Sequence, residues 1–422
     1  MNINDSAKIK NILIDLGYEM SDDINEADIV FLNTCTVREG AAIKVYGKLG
    51  ELKHLKKRNS EMIVGVAGCL AQEEKEEIMK KVKHVDIVVG NQNIHMLPEY
   101  IEKILNKKLK RALLVENEDE LPPRIDAEFE SDRTAFISIM YGCNNFCTYC
   151  IVPHVRGRER SVPKEEILKD VRNYVEKGFS EIVLLGQNVN SYNGSGKEFA
   201  ELLKSIAEIE GKFRVRFVSP HPRDFSDEII EVIATEDKIC KNVHLPLQAG
   251  STAVLKSMNR GYTKEDYLNL VKKLRDRMPG LSLTTDIIVG FPGESEEDFL
   301  DTLDVVSKSE YDNAYMFAYS KRKGTPAATM ENQVEESVKD ERLQRLIKLQ
   351  GSITKRLSES YMGKTVEILV EGTTRKNDNF YTGRTDSNKV AIFEGNEDLV
   401  GKFIKLKINK IRTWTIYGER VE

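Results

Sequence analysis

The sequence predicts an α/β protein in three parts: an N-terminal α/β open-sheet domain over residues 1–125, a central partial β/α barrel over 130–355 and a small antiparallel β-barrel over 358–422. Three observations carry that reading. A chain of 422 residues is too long for one ordinary core and divides into two or three. Through the first two parts, short β-rich runs alternate with helical stretches rich in Glu, Lys and Leu, the pattern of parallel strands joined by crossovers. From Tyr361 onward the helical stretches cease, and short alternating strands separated by Gly-containing turns take their place.

In the first part, Ala27–Asn33 (ADIVFLN) and Met62–Ala67 (MIVGVA) read as strands of a parallel sheet. Each ends just before a cysteine. Cys35, in Asn33-Thr-Cys-Thr-Val-Arg38, and Cys69, in Gly68-Cys-Leu-Ala-Gln72, therefore fall on loops at the carboxyl ends of strands, the edge where open α/β sheets bind ligands. Polar residues with Pro122 and Pro123 mark Glu116–Asp132 as a linker. Beyond it, Phe136–Met140 reads as a strand, followed by Glu181–Leu185, Arg214–Val218, Asn242–Leu245, Thr285–Val289 and Asn313–Phe317. Helical stretches such as Lys264–Met278 separate them. Strands with such crossovers make a β/α barrel or most of one, with function on the loops that follow the strands. Glu335–Leu357 is a charged helix with a Leu/Ile seam, and Lys364–Val370 and Lys402–Ile408 alternate as strands of the last part. Lys402, Lys405, Lys407, Lys410 and Arg412 form a basic stripe that suits phosphates and solvated strand faces equally well.

Cys143, Cys147 and Cys150 lie in Tyr141-Gly-Cys-Asn-Asn-Phe-Cys-Thr-Tyr-Cys150. The C-x3-C-x2-C spacing brings three thiolates within reach of one metal centre and leaves a fourth position without a cysteine. That donor set suits a zinc centre with an open position or a four-iron cluster with one open iron. His154 is the nearest residue able to close a zinc site. Cys240 lies outside every motif and reads as a buried thiol. With 31% charged residues, 40% hydrophobic residues and a formal charge of -5, the chain reads as soluble and globular. No apolar stretch approaches the roughly 18 residues of a membrane span, and the N-terminus lacks a signal-peptide core. A cytoplasmic protein with metal-binding thiolates rather than disulfides, and no membrane partner, is expected. The mild acidity does not itself argue for nucleic acid, for which a local basic surface suffices.

Cys143, Cys147, Tyr149 and Cys150 resemble the radical S-adenosylmethionine signature, in which an aromatic residue precedes the last cysteine. The flanking sequence resembles the methylthiotransferase family of that superfamily. The resemblance lies in Asn33-Thr-Cys35 and Gly68-Cys69, and in Cys150-Ile-Val-Pro-His-Val-Arg-Gly-Arg-Glu159 and Leu184-Leu-Gly-Gln-Asn-Val-Asn-Ser-Tyr192. It continues in Asp286-Ile-Ile-Val-Gly-Phe-Pro-Gly-Glu294 and Tyr319-Ser-Lys-Arg-Lys-Gly-Thr-Pro-Ala-Ala328, while the tail is similar to the RNA-binding TRAM domain. It spans nearly the whole chain. It implies that Cys143, Cys147 and Cys150 hold a 4Fe-4S cluster whose open iron binds S-adenosylmethionine for radical generation. It implies further that Cys35 and Cys69 belong to an auxiliary 4Fe-4S cluster that presents the sulfur, both clusters facing a cavity between domains. The cofactor's adenosine is then expected near Gln187, Ser219, His244, Gln248, Asp286, Gly290 and Glu294, with Gly290 and Gly293 permitting close backbone approach. Arg156, Gly157 and Arg158 are placed to meet a cofactor carboxylate or an RNA phosphate.

Met1–Ser6 and Gly186–Asn190 resemble the branch that converts isopentenyladenosine beside the tRNA anticodon to its 2-methylthio derivative; the threonylcarbamoyladenosine branch differs in the opening motif. The implied partners are that tRNA, an electron donor and a sulfur donor, and a monomer is expected. One departure stands out. The family's first cluster cysteine falls just before the position of Met1, so a truncated start is expected, with poor assembly of the auxiliary cluster from Cys35 and Cys69 alone. The competing class is a zinc-containing RNA-binding protein without catalysis.

Overall fold

The computed structural model describes residues 1–34, 39–115, 120–127, 129, 133–374 and 377–421. Its contacts divide the chain into two units, one of residues 1–130, 141–144 and 151–160, the other of residues 131–140, 145–150 and 161–422.

In the first unit, Ile29–Thr34, Ile63–Gly68, Ile87–Val89 and Ala112–Leu114 form a parallel sheet in chain order. The first two strands are those read from sequence. The other two have only three residues each, too few for a period to register. Alternating side chains divide between the two faces. Ile63, Ala67, Ile87 and Val89 pack with Ile9, Ile12 and Ile101 of helices Asn2–Asp15 and Leu97–Leu105, while Val64, Val66 and Val88 pack with Leu49 and Leu52 of helix Glu39–Arg58. Gly68 ends the second strand, and Cys69 opens the helix Cys69–Glu74.

The second unit contains six parallel strands among the described residues. Thr134–Ser138, Glu181–Leu185 and Arg214–Phe217 form one sheet, and Asn242–His244, Ser282–Val289 and Asn313–Ala318 another. A parallel bridge between Val215 and Ile239 continues the first sheet toward the second, giving the open β/α barrel that the strand-like runs predict. Ser282–Val289 starts earlier than the Thr285 run because Ser282, Leu283 and Thr284 pair with Asn242–His244. Along this strand Leu283, Thr285, Ile287 and Val289 are buried, while Thr284, Asp286 and Ile288 are half-buried on the other face. Capping boxes start two of the outer helices: Thr263 with Asp266 at Lys264–Arg277, and Ser295 with Asp298 at Glu296–Ser309.

Helix Glu336–Glu359 leads into a closed five-stranded barrel of Thr365–Thr374, Asn377–Arg384, Val390–Glu394, Phe403–Ile411 and Thr415–Val421. Ile368, Val370, Phe393, Leu406, Ile408 and Ile416 fill it. Its pairings are antiparallel except that Val390–Ile392 runs parallel to Thr415–Tyr417. An odd number of strands cannot close a ring with every neighbour antiparallel, so closure forces this pairing onto the antiparallel barrel read from sequence. A buried ionic joint fastens the small barrel to the β/α barrel. Arg214 and Arg216 share Glu181 and donate to the main-chain carbonyls of Arg384, Thr385 and Asp386. No described helix is long and apolar enough to cross a membrane.

Candidate functional site

The three-cysteine segment is shaped by its backbone. Gly142 has φ +76°, and a Cβ there would lie 1.9 Å from the Arg158 carbonyl oxygen, so only glycine fits before Cys143. The Cys143 N–H donates to Gly157 O at 3.1 Å. Phe146 takes a left-handed conformation at φ +46°, and the Cys150 N–H closes a turn onto Cys147 O at 2.9 Å. That turn is tied down on several sides. Thr148 donates from its N–H to Met258 O and from its hydroxyl to Ser257 O, and Asn259 Nδ2 donates to the carbonyls of Asn145 and Phe146. The Ala327 N–H reaches Thr148 O, which gives the Tyr319–Ala328 motif a place beside the turn. Cys143 and Cys147 are buried, and Cys150 is half-buried.

Arg260, which no sequence signal marks, completes this setting. Its Nη1 lies 3.2 Å from Cys147 Sγ, while Nε donates to the Tyr262 hydroxyl and Nη2 to Pro246 O. Burial opposes its charge, yet Tyr149, Tyr262 and Cys147 hold its pKa well above the ordinary arginine value, so the guanidinium stays charged. A pinned turn of thiols with a cationic donor on one sulfur suits thiolates on an iron-sulfur cluster. Among the described residues, no three His, Cys, Asp or Glu side chains group closely enough to hold a single metal ion, and His154 is exposed. A closed zinc site requires such a grouping. A four-iron cluster spreads its thiolates over separate irons and does not.

The other residues singled out by sequence fall largely on one edge. Gln187, Ser219, Gln248 and Gly290 each follow the carboxyl end of a barrel strand, where β/α barrels place their chemistry. Ser219 and Gln248 have φ of +62° and +69°, strained for non-glycine residues. Gln248 is held by its N–H to Asp286 O and by Ile288 N–H to its own carbonyl. His244 lies 3.0 Å from the Thr284 hydroxyl through Nδ1 and 3.3 Å from Asp286 Oδ2 through Nε2. Tyr315, paired in register with Asp286, is 50% exposed and meets the His244 ring edge-on at 6.0 Å. Sequence reasoning passed over Tyr315 because it lies within a strand run, whereas function was sought on the loops that follow the strands.

Gly290 and Glu294 have internal contacts. A Cβ on Gly290 would fall 2.3 Å from Lys339 Cγ, so its close approach is to the helix Glu336–Glu359. Glu294 is buried, accepting from Gly290 N–H and Arg342 Nη1, each at 2.8 Å. Burial pushes its carboxyl upward against the pull of both donors. Gly293, at φ +83°, has open space where a Cβ would stand.

In the first unit, Cys69 is buried, with Arg156 Nε 3.3 Å and Asn91 Nδ2 3.5 Å from its sulfur. Arg156 also pairs with the buried Asp5 at 3.4 Å. This guanidinium is therefore engaged by Cys69 and Asp5, rather than offered to the carboxylate or phosphate that the sequence suggested. Cys35 lies outside the described residues. Cys240 is buried as read, its thiol pushed up to about 11 by burial.

Residues 137–306 match the Radical SAM superfamily, residues 359–421 the TRAM domain, and residues 1–90 a family described as uncharacterized. A tRNA-2-methylthio-N(6)-dimethylallyladenosine synthase of Fusobacterium nucleatum subsp. nucleatum is 61% identical over 424 residues, covering 100% of this chain and 97% of that protein. The chain belongs to this synthase family. Another member, from Acetivibrio thermocellus, is 48% identical over 100% of this chain and 89% of its own length. Among solved structures, the radical S-adenosylmethionine methyltransferase TsrM of Kitasatospora setae, with cobalamin and a 4Fe-4S cluster bound, aligns with a TM-score of 0.57 at 16% identity. That alignment covers 77% of this chain and 70% of TsrM, and shows a shared fold. Family membership brings iron-sulfur and S-adenosylmethionine chemistry to this chain.

Proposed function

We propose that this chain is a tRNA methylthiotransferase that adds a methylthio group to carbon 2 of isopentenyladenosine beside the anticodon. The observation that carries the reading is 61% identity, along the whole chain, to a synthase of that name. Residues 1–125 are the auxiliary-cluster domain, 130–355 the radical-generating domain and 358–422 the RNA-binding domain. Cys143, Cys147 and Cys150 hold one 4Fe-4S cluster, and Cys35 and Cys69 belong to a second. When bound, these clusters and S-adenosylmethionine supply the hydrogen-abstracting power, the sulfur and the methyl group that transfer to an unactivated ring carbon needs.

The protein's own groups position the reactants. Arg260 holds the Cys147 sulfur, and the strained main chain at Ser219 and Gln248 presents fixed polar groups at the strand ends. Gln187, His244 and Asp286 hydrogen-bond the cofactor, and Gly290 and Glu294 shape the loop beside it. Lys402, Lys405, Lys407, Lys410 and Arg412 are exposed around the strand Phe403–Ile411 and meet tRNA phosphates. A reducing electron donor and a sulfur donor are the remaining partners, and the protein acts as a cytoplasmic monomer.

The test is expression, with a cysteine restored at the family's first cluster position ahead of Met1, in a bacterium deleted for its own methylthiotransferase, followed by mass spectrometry of its tRNA nucleosides. Recovery of 2-methylthio-isopentenyladenosine is expected. Unconverted isopentenyladenosine overturns the assignment, and methylthiolated threonylcarbamoyladenosine moves the chain to the sister branch.

A further inference from the structure

We infer that Arg260 tunes the reduction potential of the cluster at Cys143, Cys147 and Cys150 by donating a charged hydrogen bond to the Cys147 sulfur. The inference rests on the reading of these cysteines as cluster ligands. Arg260 Nη1 is 3.2 Å from Cys147 Sγ, and the residue is only 5% exposed. Its remaining bonds, to the Tyr262 hydroxyl and Pro246 O, fix the plane of the guanidinium so that this N–H faces the sulfur. Its hydrogen-bond partners are the Cys147 sulfur, the Tyr262 hydroxyl and Pro246 O, none of them a carboxylate, and its charge bears on the sulfur.

The direction of the effect follows from charge. Accepting one electron makes a thiolate-ligated cluster one unit more negative, and a fixed buried cation stabilises the reduced form more than the oxidised one. Arginine does not deprotonate in proteins, so the contribution is present at every working pH. A merely mechanical role is already filled. Thr148, Asn259 and Ala327 fasten the turn through the hydrogen bonds of and to its main chain.

The test uses the full chain carrying Cys69→Ala, reconstituted anaerobically so that one cluster is read, with Arg260→Met, Arg260→Gln and Arg260→Lys added in turn. Iron and sulfide content give loading, and a dithionite titration followed by electron paramagnetic resonance gives the potential. About four irons per chain in the parent support the ligand reading, and their absence overturns that reading and this inference together. With the parent loaded, Met and Gln variants that keep their iron are expected to shift to lower potential. The shift corresponds to at least a tenfold fall in the reduced-to-oxidised ratio at fixed potential, about 59 mV for one electron. The Lys variant should recover part of it. An unchanged potential in loaded Met and Gln variants overturns the inference, as does loss of iron from all three variants, which marks Arg260 as a clamp.

Discussion

Replacing Glu181 by Gln removes the counter-charge of two buried guanidiniums while keeping the shape of the side chain. Arg214 Nε and Arg216 Nε lie 2.5 and 2.8 Å from Glu181 Oε2, and none of the three side chains is more than 8% exposed. Breaking a buried ion pair from one side costs about 3–5 kcal/mol, much of it the penalty of an uncompensated charge. Both arginines keep their bonds to the small-barrel carbonyls, which places the expected loss near the lower end, about 3 kcal/mol. The chain has one tryptophan, Trp414, and it lies in the small barrel that this joint fastens. Its fluorescence therefore reports the domain whose attachment is weakened. With a urea slope of about 1–3 kcal/mol per M, the Trp414 transition should move down by about 1–3 M. Acidity supplies a second axis. Burial works against ionisation of Glu181, but Arg214 and Arg216 hold its pKa below the ordinary value of 4.5. Its stabilisation is complete above the unfolded-state value and is lost as pH falls through the lower folded value, so native and variant midpoints converge in strong acid. An unchanged Trp414 midpoint in Glu181→Gln at neutral pH would refute the reasoning.

Other expectations follow from single interactions. Gly142→Ala places a methyl group against the Arg158 carbonyl and demands a left-handed alanine, so the reconstituted chain should lose about four irons while its far-ultraviolet circular dichroism is retained. Lys405→Ala with Lys407→Ala removes two exposed cations from one strand; tRNA affinity should fall and the logarithmic salt dependence should flatten by about 0.7 for each phosphate no longer neutralised, read by filter binding across salt concentrations. Cys69→Ala should abolish methylthiolation but leave reductive cleavage of S-adenosylmethionine, measured as 5′-deoxyadenosine by chromatography.

The reach of the sequence differs by element for physical reasons. Strand runs between helical stretches, such as Glu181–Leu185 and Arg214–Phe217, carry their strand identity locally, and all six barrel strands were legible. Ile87–Val89 and Ala112–Leu114 are held by neighbouring strands instead, and nothing within three residues announces that. The parallel pairing in the small barrel comes from ring closure, a global constraint no local pattern encodes. The same division holds at the site. Cys143, Cys147 and Cys150 are marked by spacing, whereas Arg260 reaches Cys147 across a separation of 113 residues and becomes a partner only when the chain folds. Arg156 illustrates the converse. Its place in a motif suggested a role toward a cofactor carboxylate or RNA phosphate, but Asp5 and Cys69, distant in sequence, engage it in a buried setting.

The most direct test of the central claim is to incubate the anaerobically reconstituted chain, with the first cluster cysteine restored ahead of Met1, with a reductant, an isopentenylated tRNA anticodon stem-loop and S-adenosylmethionine bearing a deuterated methyl group. The account predicts a nucleoside that carries one labelled methylthio group at carbon 2, formed only on the isopentenylated RNA. Cleavage of S-adenosylmethionine without any labelled nucleoside, or equal labelling of RNA that lacks the isopentenyl group, would contradict it.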